Sequence, residues 1–126
     1  MTLHLKTKIT AVGPDVADLA EGGVLILFAD GSPAELAEVS VLHRVEGEAA
    51  QTAPTVGTAI KVGDVSAEIT AIGEKAWAKV LDIGHVVIKF TGASTTETPG
   101  EIAASEVDGA ALTAALKEGA DIIIGA

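Results

Sequence analysis

Residues 58–73, TAIKVGDVSAEITAIG, carry the clearest structural signal in the sequence. Two runs of strand-forming residues flank Gly63-Asp64 in this segment. Glycine tolerates the backbone angles of tight hairpin turns, so two such runs around a short turn with glycine predict a β-hairpin. The fold prediction therefore starts from this pair of strands, and the segments on either side extend it.

Six other segments have patterns typical of short strands. In residues 3–12 the apolar residues Leu3, Leu5 and Ile9 alternate with polar ones, as in a strand with one buried face. Residues 24–30 form an apolar run too short for an ordinary helix, which favours a buried strand. The remaining predicted strands are 39–48 (VSVLHRVEGE), 85–90 (HVVIKF), 101–107 (EIAASEV) and 120–126 (ADIIIGA).

Short helix-forming patterns separate some of these strands, at 15–22, 31–38, 74–84 and 108–119. The clearest is 74–84, in which Val80 and Leu81 follow Trp77 by three and four residues and Gly84 ends the pattern. These segments are brief and do not alternate regularly with strands, which disfavours a doubly wound sheet. The sequence predicts an all-β fold, a small barrel or sandwich of about seven or eight short strands with one or two short helices.

The composition indicates a single domain over residues 1–126 and excludes several kinds of partner. The net charge of −10 would repel nucleic acid and anionic membrane surfaces. No apolar run approaches the roughly 20 residues needed to cross a bilayer, and no secretion signal is evident, so we expect a cytoplasmic protein. Aromatic residues are scarce, so the core must be mainly aliphatic and surfaces for stacking bases or sugars are not expected.

His43 is the residue that the strand pattern explains least. It shares the apolar face of segment 39–48 with Val41 and Val45, whereas Arg44 falls on the other face. A core histidine with a satisfied hydrogen bond is the more common explanation of such a position. A reactive histidine is the other, because partial burial favours the neutral imidazole, and only the neutral ring has a lone pair for nucleophilic attack.

The other two histidines have different surroundings. His85 follows Gly84 at the predicted helix-to-strand corner, either as a corner residue bonded to a nearby carbonyl or as a second imidazole beside His43. His4 lies on the polar face of the first strand and is interpreted as a solvated histidine. There is no His-x-x-x-His spacing and no cysteine, so we predict neither a metal site nor a cofactor.

Two long blocks of sequence resemble one known family. They are residues 24–48, VLILFADGSPAELAEVSVLHRVEGE, and residues 69–92, ITAIGEKAWAKVLDIGHVVIKFTG. Both are similar to segments of the glucitol/sorbitol-specific IIA component of the bacterial phosphoenolpyruvate-dependent sugar phosphotransferase system. The terminal LKEGADIIIG also fits, and the resemblance covers nearly the whole chain. The stretch directly after His43, RVEGE, departs from the family's pattern.

The resemblance implies a small β-barrel that acts as a cytoplasmic phosphotransferase component. In this family a histidine accepts a phosphoryl group from the histidine phosphocarrier protein. The histidine then passes it to a glucitol-type IIB domain, which phosphorylates a sugar alcohol during uptake. The family's phosphorylated histidine corresponds to His43, and the histidine of its Gly-His-Val corner corresponds to His85, as a supporting hydrogen-bond donor. Contact with the membrane is implied only indirectly, through the permease complex.

Two other functions remain open from the sequence. One is a non-enzymatic binding or regulatory β-barrel that has lost phosphorylation, and the other is a barrel that binds a small ligand. For the phosphoryl carrier we expect the ring edge of His43 to be reachable from solvent and His85 to lie nearby. A His43 ring that is fully enclosed, with both nitrogens bonded inside the protein, would contradict the carrier function.

Overall fold

The computed structural model describes residues 3–31 and 37–125. Within these residues it contains eight strands and three helices. In chain order they are β1 (Leu3–Val12), α1 (Val16–Glu21), β2 (Val24–Ala29), β3 (Val41–Val45), β4 (Ala59–Val62), β5 (Val65–Ile72), α2 (Ala76–Ile83), β6 (Val86–Lys89), β7 (Glu101–Ala104), α3 (Gly109–Ala115) and β8 (Asp121–Gly125).

The eight strands close into one barrel in the order β1-β3-β2-β6-β7-β5-β4-β8, with β8 pairing back to β1. The pairs β2–β3 and β6–β7 are parallel, and the other pairs are antiparallel. Closure pairs every strand on both sides, so the barrel has no exposed sheet edge. Because β2 and β3 run parallel, the C-terminal ends of the two strands lie side by side.

The predicted all-β barrel of seven or eight strands is confirmed, with eight strands observed. The hairpin predicted at 58–73 forms β4 and β5, and Val62 pairs with Val65 across the turn. The described residues contain three helices, rather than the one or two expected. The helical turn predicted at 31–38 falls mainly on residues 32–36, which lie outside the described residues.

Aliphatic side chains dominate the core, as the scarcity of aromatic residues predicts. Because a fully buried Leu or Ile contributes about 1.5–3 kcal/mol, a core of this kind can hold the barrel together without disulfides. In β1 the side chains of Leu5, Thr7 and Ile9 are buried, and Lys6 between them is exposed. Thr7 is therefore a polar group on the apolar inner face of β1. The largest buried aliphatic side chains are Leu5, Ile9, Leu25, Leu27, Ile60, Ile69, Ile88, Ile102, Leu112, Ile122 and Ile124.

The corner between α2 and β6 depends on a glycine. Gly84 ends α2 in the left-handed region, with φ of 64°, and its N–H donates to the carbonyl of Val80. A Cβ at this position would lie 2.8 Å from the Cβ of Ala29, at the end of β2. Only glycine satisfies both the positive φ and the close approach, and it brings the corner against the end of β2.

Two leucines of β1 differ in burial, and together they test the contribution of this strand to the core. Leu5 is 1% exposed and Leu3 is 46% exposed. Replacing Leu5 by Ala should lower the free energy of unfolding by about 2–5 kcal/mol, because it leaves a cavity in the core. The matched change Leu3→Ala should cost no more than about 0.5 kcal/mol. Urea unfolding of both variants checks this, and equal losses would contradict the described burial of Leu5 and exposure of Leu3.

Candidate functional site around His43

His43 lies in the middle of β3, between β1 and β2. It pairs with Ile9 of β1 and with Ala29 of β2. Arg44 points to the outside, where its guanidinium donates to the carboxylate of Asp30 at 3.0 Å. The predicted alternation is therefore confirmed, with the imidazole inside the barrel and the neighbouring charge outside.

Both ring nitrogens of His43 have partners inside the protein. Nδ1 lies 2.6 Å from Oγ1 of Thr7, and Nε2 lies 2.7 Å from the carbonyl oxygen of Gly84. A carbonyl oxygen can only accept a hydrogen bond, so Nε2 carries a proton. When the ring is neutral, its lone pair is then on Nδ1 and accepts a hydrogen bond from the Thr7 hydroxyl.

The expectation that the ring edge of His43 is reachable from solvent is wrong, and the enclosed ring is the arrangement expected to contradict the carrier function. The residue is 2% exposed, and both nitrogens are engaged. Strand alternation placed the ring correctly, but the corner at Gly84 covers it. That corner comes from 41 residues further along the chain, so no local pattern around His43 indicates it. In this closed form the ring offers no lone pair to an incoming group.

His85 occupies the corner position expected for it, between the end of α2 and the start of β6. Its Nδ1 lies 2.9 Å from the carbonyl oxygen of Leu27 and therefore donates a hydrogen bond to it. Its ring lies against that of Phe28, with centroids 4.8 Å apart. His85 directly follows Gly84, whose carbonyl holds His43, so the two histidines meet at one corner through the backbone.

Comparisons with known proteins identify the family of this chain. The family model described as "PTS system glucitol/sorbitol-specific IIA component" matches residues 4–123. The PTS system glucitol/sorbitol-specific EIIA components of Shigella flexneri and Escherichia coli (strain K12) are each 32% identical to the chain over 102 residues, covering 81% of both sequences. The chain belongs to the glucitol/sorbitol-specific IIA component family.

A solved structure shares the fold of this IIA component. The crystal structure of the PTS system IIA component from Enterococcus faecalis V583 matches it with a TM-score of 0.77. The match covers 97% of this chain and 100% of that chain at 20% sequence identity. Family membership makes the protein a component of the phosphotransferase system and confirms the resemblance found in the sequence.

Three further findings concern the described residues only. His4 lies on the outer face of β1 but is half-buried, with Nδ1 3.1 Å from the carbonyl oxygen of Thr52 and its ring edge-to-face with Trp77. Among the described residues, no group of three or more His, Cys, Asp or Glu side chains is placed to hold a metal ion. None of the helices within 3–31 and 37–125 is long and apolar enough to span a membrane.

Thr7 is the site residue that the sequence analysis missed. The sequence does contain a signal for this role. Thr7 lies between Leu5 and Ile9 on the inner face of β1, and a buried hydroxyl requires a hydrogen-bond partner. Which partner it has depends on the pairing of β1 with β3, where Thr7 is opposite Val45 and Ile9 is opposite His43. That register is set by how the strands of the barrel pair, so the sequence around Thr7 does not indicate it.

Burial lowers the pKa of His43 below its usual 6.5, because the charged ring loses its hydration inside the barrel. The carbonyl of Gly84 acts in the opposite direction, because it binds the proton on Nε2 more strongly when the ring is charged. Burial has the larger effect, so the ring of this IIA component is neutral at pH 7. Nucleophilic attack by an imidazole requires that neutral state.

This lowered pKa predicts how stability depends on pH. As the pH falls below 6.5, toward the lowered pKa of the folded state, the unfolded chain binds more protons at His43 than the folded chain does. The free energy of unfolding should therefore decrease over this range. The variant His43→Gln has no ring to titrate, so its free energy of unfolding should decrease less over the same pH range.

Urea unfolding of both proteins between about pH 8 and 5 measures this effect, since the range spans the usual histidine pKa. Contributions from the carboxylates are common to both proteins and cancel in the difference between their stabilities. That difference should be constant at the alkaline end and should change in favour of His43→Gln at the acidic end. Curves that stay parallel throughout would contradict the lowered pKa.

Proposed function

We propose that this IIA component carries a phosphoryl group on His43. It accepts the group from the histidine phosphocarrier protein and passes it to a glucitol-type IIB domain, which phosphorylates a sugar alcohol during uptake. It does so in the cytoplasm as one domain over residues 1–126, and it meets the membrane only through the permease complex. The observation that carries this proposal is a neutral, inward-facing imidazole in the segment that matches the family.

The surroundings of the ring favour Nε2 as the nitrogen that takes the phosphoryl group. Nδ1 faces Thr7, which is fully buried in the barrel wall. Nε2 faces the carbonyl of Gly84, which belongs to the corner between two elements. Moving a corner makes room for a phosphoryl group at Nε2 without breaking the pairing of β1 with β3, whereas room for such a group at Nδ1 requires that pairing to open.

Transfer therefore requires an open form in which the corner at Gly84 has moved away from His43. The ring then loses the proton on Nε2 to water and gains one on Nδ1, so it stays neutral. The lone pair on Nε2 forms the new N–P bond as the N–P bond of the donor's phosphohistidine breaks. The donor's ring carries a proton on its other nitrogen, so the bonding electrons return to that ring and it leaves as a neutral imidazole. His43 then holds the phosphoryl group on Nε2 and the proton on Nδ1, its ring takes over the positive charge of the donor's ring, and no net proton is consumed.

Positioning and charge stabilisation supply most of the catalysis in such a step, because the two imidazoles are chemically alike. His85 is the proposed supporting donor. Its Nδ1 proton remains on the carbonyl of Leu27, so a protonated ring can donate from Nε2 to a phosphoryl oxygen. Gly84 and His85, which are adjacent in sequence, thus provide the carbonyl that releases His43 and the ring that binds the arriving phosphoryl group.

The alternative is a binding or regulatory barrel that is never phosphorylated. One observation favours it, namely the enclosure of His43 with both of its nitrogens bonded. Membership of the IIA family and the neutral state of the ring favour the carrier. Incubation with phosphoenolpyruvate, the first enzyme of the system and the phosphocarrier protein decides between them. A gain of one acid-labile phosphate supports the carrier, and none supports the alternative.

The variant His43→Ala should accept no phosphate in that assay while keeping the barrel fold, because it lacks the proposed nucleophile. His4→Ala is the matched control, since it removes a histidine from the outer face of β1. Mass spectrometry measures the added phosphate, and circular dichroism checks the fold. A labelled His43→Ala protein would place the nucleophile elsewhere, and His85 would be the first residue to test.

Replacing His85 tests its role as a donor. His85→Ala should slow phosphorylation by about 10²–10³, the usual cost of losing one hydrogen bond to the transition state. His85→Gln keeps an N–H donor and should lose less. Rapid-quench kinetics with the phosphorylated phosphocarrier gives both rates. An unchanged or faster rate in His85→Ala would instead assign His85 only the hydrogen bond to Leu27 that holds the corner.

A further inference from the structure

Thr7 occupies a position where a hydroxyl lowers the stability of the fold unless it forms a hydrogen bond. The residue is fully buried on the inner face of β1, where its neighbours Leu5 and Ile9 are core side chains. Its Oγ1 lies 2.6 Å from Nδ1 of His43. A valine of the same shape would suit an apolar barrel better, since burying a hydroxyl costs free energy that only a hydrogen bond offsets.

The two partners of His43 differ in what they can do. The carbonyl of Gly84 can only accept, so while it is bonded to Nε2 it holds the ring with the proton on the attacking nitrogen. The hydroxyl of Thr7 can either donate or accept. It therefore donates to Nδ1 in the closed form and can accept from Nδ1 once the proton has moved there.

We propose that Thr7 is the positioning residue that holds the proton on Nδ1 of His43 while Nε2 carries the phosphoryl group. This inference rests on the proposed function of His43. When the corner at Gly84 opens, Nε2 gives its proton to water and Nδ1 takes one from water. The Thr7 hydroxyl rotates from donor to acceptor, and no bond within the threonine is made or broken.

As a consequence, Nδ1 of His43 has a hydrogen-bond partner in both states. In the closed form the lone pair of Nδ1 is paired with the Thr7 hydroxyl, and in the phosphorylated form the N–H at Nδ1 is paired with its oxygen. Without the hydroxyl, the phosphorylated ring would carry an unpaired N–H in a fully buried position. Such a group destabilises both the product and the transition state that leads to it.

Three variants of β1 test the proposal. Thr7→Val keeps the shape and removes the hydroxyl, whereas Thr7→Ser keeps the hydroxyl. Thr10→Val is the matched control, because the Oγ1 of Thr10 is also buried on this strand but has no hydrogen-bond partner among the described residues. Phosphorylation rates are measured with the phosphorylated phosphocarrier protein, and the pKa of His43 is measured by NMR on chains labelled with ¹⁵N-histidine.

Thr7→Val should slow phosphorylation of His43 by about 10-fold to 100-fold, the effect of leaving one buried donor unpaired. It should also lower the pKa of His43 further, because the protonated ring loses a charge-assisted hydrogen bond. The acid limb of the pH–rate profile should therefore move to lower pH. Thr7→Ser should restore both the rate and the pKa, and Thr10→Val should match the unmodified protein.

The possible failures can be told apart. If the unmodified protein takes up no phosphate, or if His43→Ala still does, the proposed function fails whatever Thr7 does. If the unmodified protein is labelled on His43 and Thr7→Val matches it in rate and in the pKa of His43, only the role of Thr7 is overturned. A slow Thr7→Val protein that Thr7→Ser does not rescue would also overturn it, because the hydroxyl would then not be the group responsible.

Discussion

The hydrogen bond from Nε2 of His43 to the carbonyl of Gly84 joins the two parts of the protein that form the site. β3 carries the ring, and the corner between α2 and β6 carries the carbonyl. The bond completes the core and also keeps a proton on the nitrogen that we propose as the nucleophile. In the described structure the ring therefore has no free lone pair, and our proposal requires the corner at Gly84 to move before transfer.

Much of the fold could be predicted from local patterns, because strand alternation and glycine turns act over a few residues. The hairpin at 58–73 and the inward position of His43 are examples, and both are observed. The approach of Gly84 to Ala29 could not be predicted in this way, since it depends on how distant strands pair. The enclosure of His43 and its bond to Thr7 depend on that pairing too.

The net charge of −10 is compatible with a phosphoryl carrier of this design. In the proposed transfer the group arrives covalently on a partner protein, so the site does not need a positive field to attract free phosphate. The cation closest in sequence, Arg44, is directed outward and paired with Asp30. The groups bonded to His43 are instead neutral, namely the hydroxyl of Thr7 and the carbonyl of Gly84. Exclusion of water by such surroundings also suits a phosphohistidine, which water hydrolyses.

The nitrogen that carries the phosphoryl group is the most direct test of this account. The protein is labelled with ¹⁵N-histidine and phosphorylated through the phosphocarrier protein, and the coupling between ¹⁵N and ³¹P is recorded by NMR. We predict coupling to Nε2 of His43, with a proton retained on Nδ1 beside Thr7. Coupling to Nδ1, coupling to another histidine, or no phosphorylation at all would contradict the account.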